Sequence, residues 1–145
     1  KTVQLLYPSM GKMMAKKAGC DDAWMVEDGF VTEGTSNNAY IVMGNKIITR
    51  ALSNEILHGI TRQTMLRVAE QFQLKIRETT YTLDEALRAD EAFITAASIY
   101  VLPVGRIDDH IIGGGTTGPI TAALRTAYLE TARAEFPVVP EVETT

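Results

Sequence analysis

The first third of the chain consists of short apolar runs separated by residues that favour turns. Residues 23–26 and 30–32 flank Glu27, Asp28 and Gly29, and residues 39–43 and 46–49 flank Gly44 and Asn45. Asp or Asn beside glycine is typical of the tight turns of β-hairpins. The pattern therefore predicts two hairpins, preceded by a strand at residues 2–6 and by a helix that begins at Pro8 and ends at Gly19.

Helical spacing appears in the second part of the chain. Apolar residues between Thr61 and Phe72 predict an amphipathic helix over that stretch. Thr82 and Glu85 have the spacing of a capping box, which predicts a short helix, and Pro119 suits the first turn of a last helix. Further strands are predicted at residues 75–81, 91–95 and 100–107, with a glycine-rich loop at 113–118. Hairpins combined with helices between strands predict an α+β fold.

Composition narrows the class of protein. At 145 residues with 46% hydrophobic content, the chain has the size of one domain with its own core. A net charge of -4 gives no basic surface for nucleic acid, and no apolar run approaches the ~20 residues that span a bilayer. Cys20 is the single cysteine and the two histidines lie far apart, so no disulfide and no metal cluster are expected. These features favour a protein of the reducing cytoplasm.

Lys1 is the first candidate for chemistry. It stands directly before the apolar residues of the first predicted strand, where burial would lower the pKa of its amine and favour Schiff-base formation. The alternative is an ordinary mobile terminus. Lys12, Lys16 and Lys17 are rivals, but they lie near the end of a predicted helix, where cations complement the helix dipole and stay solvated. The chain has no initiator methionine, and we expect it to be a fragment.

Glu33 is the second candidate, within the sequence Thr32-Glu33-Gly34 at the end of an apolar strand. The glycine lets the backbone turn sharply, so the carboxylate is expected to point inward. A carboxylate beside a pyridine nitrogen keeps that nitrogen protonated and makes the ring a good electron sink. The alternative is an exposed loop glutamate.

Two further segments could hold a phosphate. The sequence from His58 to Arg62 opens a predicted helix, and helix N-termini bind phosphate through their free N–H groups, to which Thr61 would add a hydroxyl. The alternative is that Thr61 only caps its own helix. Residues 95–98, Thr-Ala-Ala-Ser, end a predicted strand with small residues whose N–H groups would be open to an oxyanion.

These segments, in this order, resemble the large domain of the fold-type IV pyridoxal-phosphate enzymes, from Lys1 to about Glu135. The D-amino-acid, branched-chain and (R)-amine transaminases belong to that family. The matching motifs are K-x-x-Q-x-L at residues 1–6, T-E-G at 32–34, L-x-G-I-T-R at 57–62, D-E-x-F at 90–93 and G-P-I-T at 118–121. The resemblance implies a β-rich pseudo-barrel with flanking helices, formed by residues 1–136 and followed by a tail at 137–145.

The resemblance also implies the site. Lys1 would bind pyridoxal 5'-phosphate as a Schiff base and move the proton between the substrate carbon and the C4' carbon of the cofactor. Glu33 would pair with the pyridine nitrogen, while Ile60, Thr61, Ala96 and Ala97 would hold the phosphate. A smaller N-terminal domain, absent from these residues, would complete the substrate pocket, and the protein would be a homodimer.

The implied reaction is amino transfer between a D-amino acid or an (R)-amine and an α-keto acid. Branched-chain members tend to have Tyr five positions after the lysine, whereas this chain has Leu6 there and Tyr7 one position later, which favours the D-amino-acid and (R)-amine branches. The alternatives are a branched-chain aminotransferase, a pyridoxal-phosphate lyase of the aminodeoxychorismate type, and a non-catalytic binding fragment.

Overall fold

The central strand of the protein is apolar on both faces. In the computed structural model, which describes residues 2–35, 37–50, 58–96 and 100–135, four consecutive residues of this strand are buried: Ala39, Tyr40, Ile41 and Val42. Successive side chains of a strand point to opposite faces. A strand that is buried on both faces therefore needs a layer of structure on each side of its sheet.

The elements follow one another along the chain with short connections. In order, they are helix α1 (Thr2–Lys17), strands β1 (Trp24–Glu27), β2 (Phe30–Gly34), β3 (Asn38–Met43) and β4 (Lys46–Thr49), helix α2 (His58–Phe72), strand β5 (Lys75–Glu78), helix α3 (Leu83–Leu87), strands β6 (Glu91–Ala96), β7 (Tyr100–Pro103), β8 (Arg106–Ile107) and β9 (His110–Ile111), a 3-10 turn (Gly113–Gly115) and helix α4 (Pro119–Glu135). The predicted α+β class is confirmed. Among the described residues, no helix is long and apolar enough to cross a membrane.

The main sheet has the strand order β5-β4-β3-β6-β7. Neighbouring strands are antiparallel except β4 and β5, which are parallel and are joined through α2, because a parallel pair needs a crossover connection. Its edge strands are β5 and β7, so this sheet is open and the described strands do not close into a barrel. Hairpins β1-β2 and β8-β9 form two smaller sheets.

One core lies on each face of the main sheet. Tyr40 and Val42 of β3 pack with Phe93 of β6 against helices α2 and α4. Ala39 and Ile41 pack on the other face, where hairpin β1-β2 and helix α3 contribute Val31 and Ala86, among others. The main sheet is therefore the middle of three layers.

Several local predictions are confirmed. Both hairpins form, with Asp28 and Gly29 in left-handed conformations at the first turn. The capping box is present, because the Glu85 N–H donates to the Thr82 hydroxyl and the Thr82 N–H donates to the Glu85 carboxylate, each at 3.2 Å. The last helix begins at Pro119 as predicted.

The strand predicted at residues 2–6 is wrong, because helix α1 already begins at Thr2. No described strand pairs with this segment, and a segment without a sheet neighbour satisfies its backbone groups best within a helix. The predicted end of the helix is confirmed. The Cys20 N–H donates to the Ala15 carbonyl across Gly19, which has φ +78, and this is a typical glycine helix end.

Two other boundaries differ from prediction. The single strand predicted at residues 100–107 is interrupted at Val104 and Gly105, where a Cβ on Gly105 would lie 2.9 Å from the Gly115 carbonyl oxygen. The backbone lies against a neighbouring loop at Gly105, although the Val104 N–H still donates to the Ala92 carbonyl of β6 at 2.8 Å. Helix α2 begins at His58 instead of Thr61, so Thr61 lies inside the helix. The predicted tail at 137–145 lies outside the described residues.

Candidate functional site

The sheet register brings the predicted site segments to one end of the sheet. Asn38 at the start of β3 is the partner of Thr95 at the end of β6, and Tyr40 is the partner of Thr49 at the end of β4. Ala96 pairs with Tyr100, the first residue of β7. The start of β3 and the ends of β4 and β6 are therefore neighbours.

The first turn of helix α2 lies at the same end. The helix leads from Phe72 to Lys75, which pairs with Lys46 at the opposite end of the sheet, so the beginning of α2 must lie near Thr49. Thr49 and Arg62 line the same cleft, of about 250 Å³, which supports this placement. The first helical turn, with its free N–H groups, thus lies near the end of β4.

Glu33 lines a second cleft at this end of the sheet. The cleft has a volume of about 290 Å³ and is lined by Glu27, Thr32, Glu33, Asn38, Ala39, Thr49 and Arg50. Glu33 belongs to strand β2, so the alternative of a loop glutamate is wrong. The expectation that it points inward is also corrected, since its side chain is exposed to the open cleft.

Residue 34 must be glycine because the Asn37 side chain leaves no room for a Cβ, and not because of its own backbone angles. A Cβ at this position would lie 1.8 Å from the Asn37 side-chain oxygen, and the Gly34 N–H donates to the Asn37 carbonyl at 3.0 Å. The Asn37 amide and the Thr35 hydroxyl both donate to the Asp22 carboxylate. These contacts fix the chain that leaves Glu33.

Thr61 directs its side chain into the core. It is 1% exposed, and its hydroxyl lies 3.3 Å from the Tyr128 hydroxyl of α4. Thr61 lies inside α2 and its hydroxyl bonds to α4, so it does not cap its own helix, while the phosphate contact stays a prediction. Its N–H and that of Ile60 are among the first four of α2, which have no partner within the helix.

Ala96 ends strand β6 and is buried. The residue before it, Thr95, is also buried, and its hydroxyl donates to the Tyr40 hydroxyl at 3.1 Å. Small residues at this position let the backbone come close to a ligand. Lys1 and Ala97, the remaining predicted site residues, lie outside the described residues.

Two motifs that carry the family resemblance have a structural role. The Glu91 carboxylate accepts hydrogen bonds from the N–H groups of Ile120 at 3.2 Å and Thr121 at 2.9 Å, so it caps helix α4 from a distant strand. The Asp90 carboxylate accepts from the Gly44 N–H at 2.7 Å. The motifs at residues 90–93 and 118–121 thus attach the last helix and the second hairpin to the sheet.

The cleft that Glu33 lines carries side chains of both charges. Within the described ranges, the one ion pair joins Arg62 to Glu78 at 3.1 Å, so Arg50 is not neutralised by a described carboxylate. The sequence analysis missed Arg50 and Asn38, although Arg50 follows directly on a predicted strand, as Glu33 does. The rival lysines Lys12 and Lys16 are exposed on α1, as expected for solvated cations.

Comparison with known proteins identifies the family. A family model described as amino-transferase class IV matches residues 1–107, which is most of the chain. The chain belongs to the class IV amino-transferases.

Individual relatives agree with this membership. The chain is 43% identical over 127 residues to a D-alanine aminotransferase of Bacillus licheniformis, covering 88% of this chain and 45% of that protein. It is 34% identical to a putative branched-chain-amino-acid aminotransferase of Methanocaldococcus jannaschii, with the same coverage of 88% and 45%.

Solved structures share the fold. The chain superimposes on a T.th. branched-chain amino acid aminotransferase with a TM-score of 0.80 at 35% identity, covering 92% of this chain and 45% of that one. That enzyme was crystallised with N-(5'-phosphopyridoxyl)-L-glutamate and, separately, with pyridoxamine 5'-phosphate. The chain spans slightly less than half the length of the relatives that it matches.

Proposed function

We propose that this chain is the cofactor-binding part of a pyridoxal-phosphate-dependent aminotransferase that moves an amino group between a D-amino acid and an α-keto acid. The observation that carries the proposal is the position of Glu33 in an open cleft, at the sheet end formed by the start of β3 and the end of β4. A carboxylate on the same end of the sheet as the free N–H groups of a helix N-terminus suits a ligand with a basic ring nitrogen and a phosphate.

The described residues fit pyridoxal 5'-phosphate. The cleft of about 290 Å³ lies just below the roughly 300–1,000 Å³ of ligand pockets, which suits a small, single-ring molecule. The charges of Glu33 and Arg50 are of opposite sign, as a ligand with cationic and anionic groups requires.

Each chain residue has a distinct task in this proposal. Lys1 would anchor the cofactor covalently and carry the proton between the substrate carbon and the C4' carbon. Glu33 would keep the pyridine nitrogen protonated. The backbone of Ile60 and Thr61 and that of Ala96 and Ala97 would hold the phosphate. The cofactor itself supplies the electron sink that makes the substrate carbon acidic.

The D-amino-acid substrate is supported by the 43% identity to a D-alanine aminotransferase. A branched-chain amino acid is the second candidate, supported by the TM-score of 0.80 to a branched-chain enzyme. The two candidates differ in the size of the side chain of the amino donor and in the configuration of the donor's α-carbon. Rates with D-alanine and L-leucine as donors separate them, since an active enzyme of the first kind uses D-alanine and one of the second kind uses L-leucine.

The wider assembly belongs to the same proposal. We take residues 1–136 as the cofactor-binding domain, with a smaller domain and a second copy of the protein completing the active site. The cytoplasm is the proposed location, which the single cysteine among 145 residues supports.

Borohydride reduction tests the function directly. The complete protein is incubated with pyridoxal phosphate, reduced and digested, and the labelled peptide is sequenced. We expect the label on the side chain of Lys1 and none in a Lys1→Ala variant. Label retained on Lys12 in that variant would refute the anchor, and an unlabelled wild-type protein would refute the function. Lys12→Ala is the matched control, because Lys12 is exposed on α1.

A further inference from the structure

Hairpin β1-β2 has one residue more on its second strand than on its first. Val26 is the partner of Val31, whereas the residue before it, Met25, is the partner of Glu33. Thr32 is therefore left without a partner on β1. An extra residue on one strand of an antiparallel pair is a β-bulge, and it changes the direction of the side chains that follow it.

The bulge decides which face of the hairpin carries Glu33. Side chains alternate along a regular strand, so Glu33 would share the face of Val31, which is fully buried in the core. The extra residue shifts this alternation by one position. As a result Glu33 is exposed to the cleft, and Gly34 takes the buried position that follows. Without the bulge, the carboxylate would be directed at an apolar core.

The lining of the cleft agrees with this change of face. Thr32 and Glu33 are consecutive residues, yet both line the cleft, as expected when one of them is the extra residue of a bulge. Glu27 of β1 lines the cleft as well. Glu27 lies two residues after Met25, the partner of Glu33, so the two glutamates belong to the same face of the hairpin.

The Thr32 side chain bonds across the hairpin. Its hydroxyl donates to the Met25 carbonyl at 3.2 Å. Met25 is the residue opposite Glu33, so this bond attaches the extra residue to the partner of the carboxylate. A slip of the register by one residue would turn Glu33 to the opposite face, and the bond opposes that slip.

Two backbone hydrogen bonds confine the bulge. The Val31 N–H donates to the Tyr81 carbonyl at 2.9 Å on one side of it, and the Gly34 N–H donates to the Asn37 carbonyl at 3.0 Å on the other. The strand is thus fixed by its main chain on both sides, and the Thr32 hydroxyl is the side-chain group that holds the residues between them.

We propose that Thr32 is a positioning residue, which directs the Glu33 carboxylate into the cleft by holding the β-bulge through the Met25 carbonyl. This inference rests on the proposed function, in which Glu33 keeps the pyridine nitrogen protonated. A hydrogen-bonding group contributes most to binding when its direction is fixed before the ligand arrives. Loss of the Thr32 hydroxyl should therefore weaken the contact to the ring nitrogen and leave the other contacts of the ligand unchanged.

The contribution of the ring nitrogen to binding measures this role. Pyridoxamine 5'-phosphate is compared with its deaza analogue, in which C–H replaces the ring nitrogen, and neither ligand has the aldehyde that reacts with lysines. Titration calorimetry of the complete protein gives the ratio of the dissociation constant of the analogue to that of pyridoxamine 5'-phosphate. Thr32→Val removes the hydroxyl and keeps the branching of the side chain, Thr32→Ala removes it in a smaller side chain, and Thr32→Ser keeps a hydroxyl.

We expect the ratio to fall about threefold in Thr32→Val and about threefold to tenfold in Glu33→Gln, which alters the carboxylate itself. Thr32→Ser should keep the wild-type ratio. In the double variant of Thr32→Val and Glu33→Gln, the ratio should equal that of Glu33→Gln alone, because Thr32 acts only through Glu33. Thr126→Val is the matched control and should leave the ratio unchanged, since the Thr126 hydroxyl also donates to a backbone carbonyl, that of Ala122, but at an exposed position of α4.

Other outcomes overturn the inference. Equal weakening of both ligands in Thr32→Val, or a lower free energy of unfolding with an unchanged ratio, would mean that Thr32 only stabilises the hairpin. Thr32→Ala decides the question if the valine variant does not fold. A wild-type protein that binds the two ligands equally well would refute the contact between Glu33 and the ring nitrogen, and with it the proposed function. A wild-type preference for the ligand with the ring nitrogen that survives in both Thr32→Val and Thr32→Ala refutes only the role of Thr32.

Discussion

The Glu91 carboxylate occupies the space that a side chain on residue 118 would need. A Cβ on Gly118 would lie 2.0 Å from a Glu91 oxygen, and that carboxylate caps helix α4 through the N–H groups of Ile120 and Thr121. The acidic motif at residues 90–93 and the glycine-proline motif at 118–121 are thus two halves of one contact. The glycine at 118 makes room for the Glu91 carboxylate, and that carboxylate in turn caps the helix that follows the glycine.

Gly118→Ala should destabilise the protein by about 1–3 kcal/mol, because the methyl group displaces the carboxylate and leaves two N–H groups of α4 unpaired. Urea unfolding measures the free energy. Glu91→Ala should cost a similar amount. In the double variant the Gly118 change should add less than about 0.5 kcal/mol, and full additivity would show that the two residues act independently.

Glu33→Gln should slow proton exchange at the substrate carbon by roughly a hundredfold while weakening cofactor binding by less than about tenfold, since an amide cannot keep the pyridine nitrogen protonated. Deuterium exchange into the substrate and cofactor titration give the two values. Glu27→Gln removes one negative charge from the same cleft. Equal loss in both variants would assign the effect to the charge of the cleft and not to Glu33.

Gly34→Ala should lower stability by about 1–3 kcal/mol, because the new methyl group forces the Asn37 amide away from its bond to Asp22. Thermal or urea unfolding checks this value. The same substitution in an Asn37→Ala background should be nearly without cost, since the obstructing amide is gone. A loss of equal size in both backgrounds would place the strain in the backbone instead.

Alkaline conditions should destabilise the protein through its buried tyrosines. Burial raises the pKa of Tyr40 from 10.0 to about 12 and raises that of Tyr81 as well. The unfolded chain then releases its tyrosine protons first, so the stabilising contribution is complete below about pH 10 and is lost as the pH rises toward 12. Unfolding free energies at about pH 9 and about pH 11.5 should differ less in Tyr40→Phe than in the wild type. An identical difference would contradict the assignment to Tyr40.

The local elements of the fold could be predicted because neighbouring residues determine them. Asp28 and Gly29 adopt left-handed angles that few other residues tolerate, so the first hairpin follows from its turn. The capping box from Thr82 to Glu85 closes within four residues. The strand predicted at residues 2–6 failed because an apolar run suits either a strand or a helix until its neighbours are known.

The order of the segments also followed from the sequence, but the directions of their side chains did not. The Thr61 hydroxyl, for example, meets Tyr128, which lies 67 residues later in the chain. Glu91 was part of a recognisable motif, yet its partners at 120 and 121 lie about 30 residues away.

The sequence by itself determined the hairpin turns, the helix ends at Gly19 and Pro119 and the order of the site segments, because these depend on residues close together in the chain. Only the tertiary structure decided that Glu33 opens into a cleft beside Arg50 and that Thr95 turns toward Tyr40. The physical reason is the alternation of side chains along a strand, since the register of the neighbouring strands decides which face, and therefore which partner, each side chain meets.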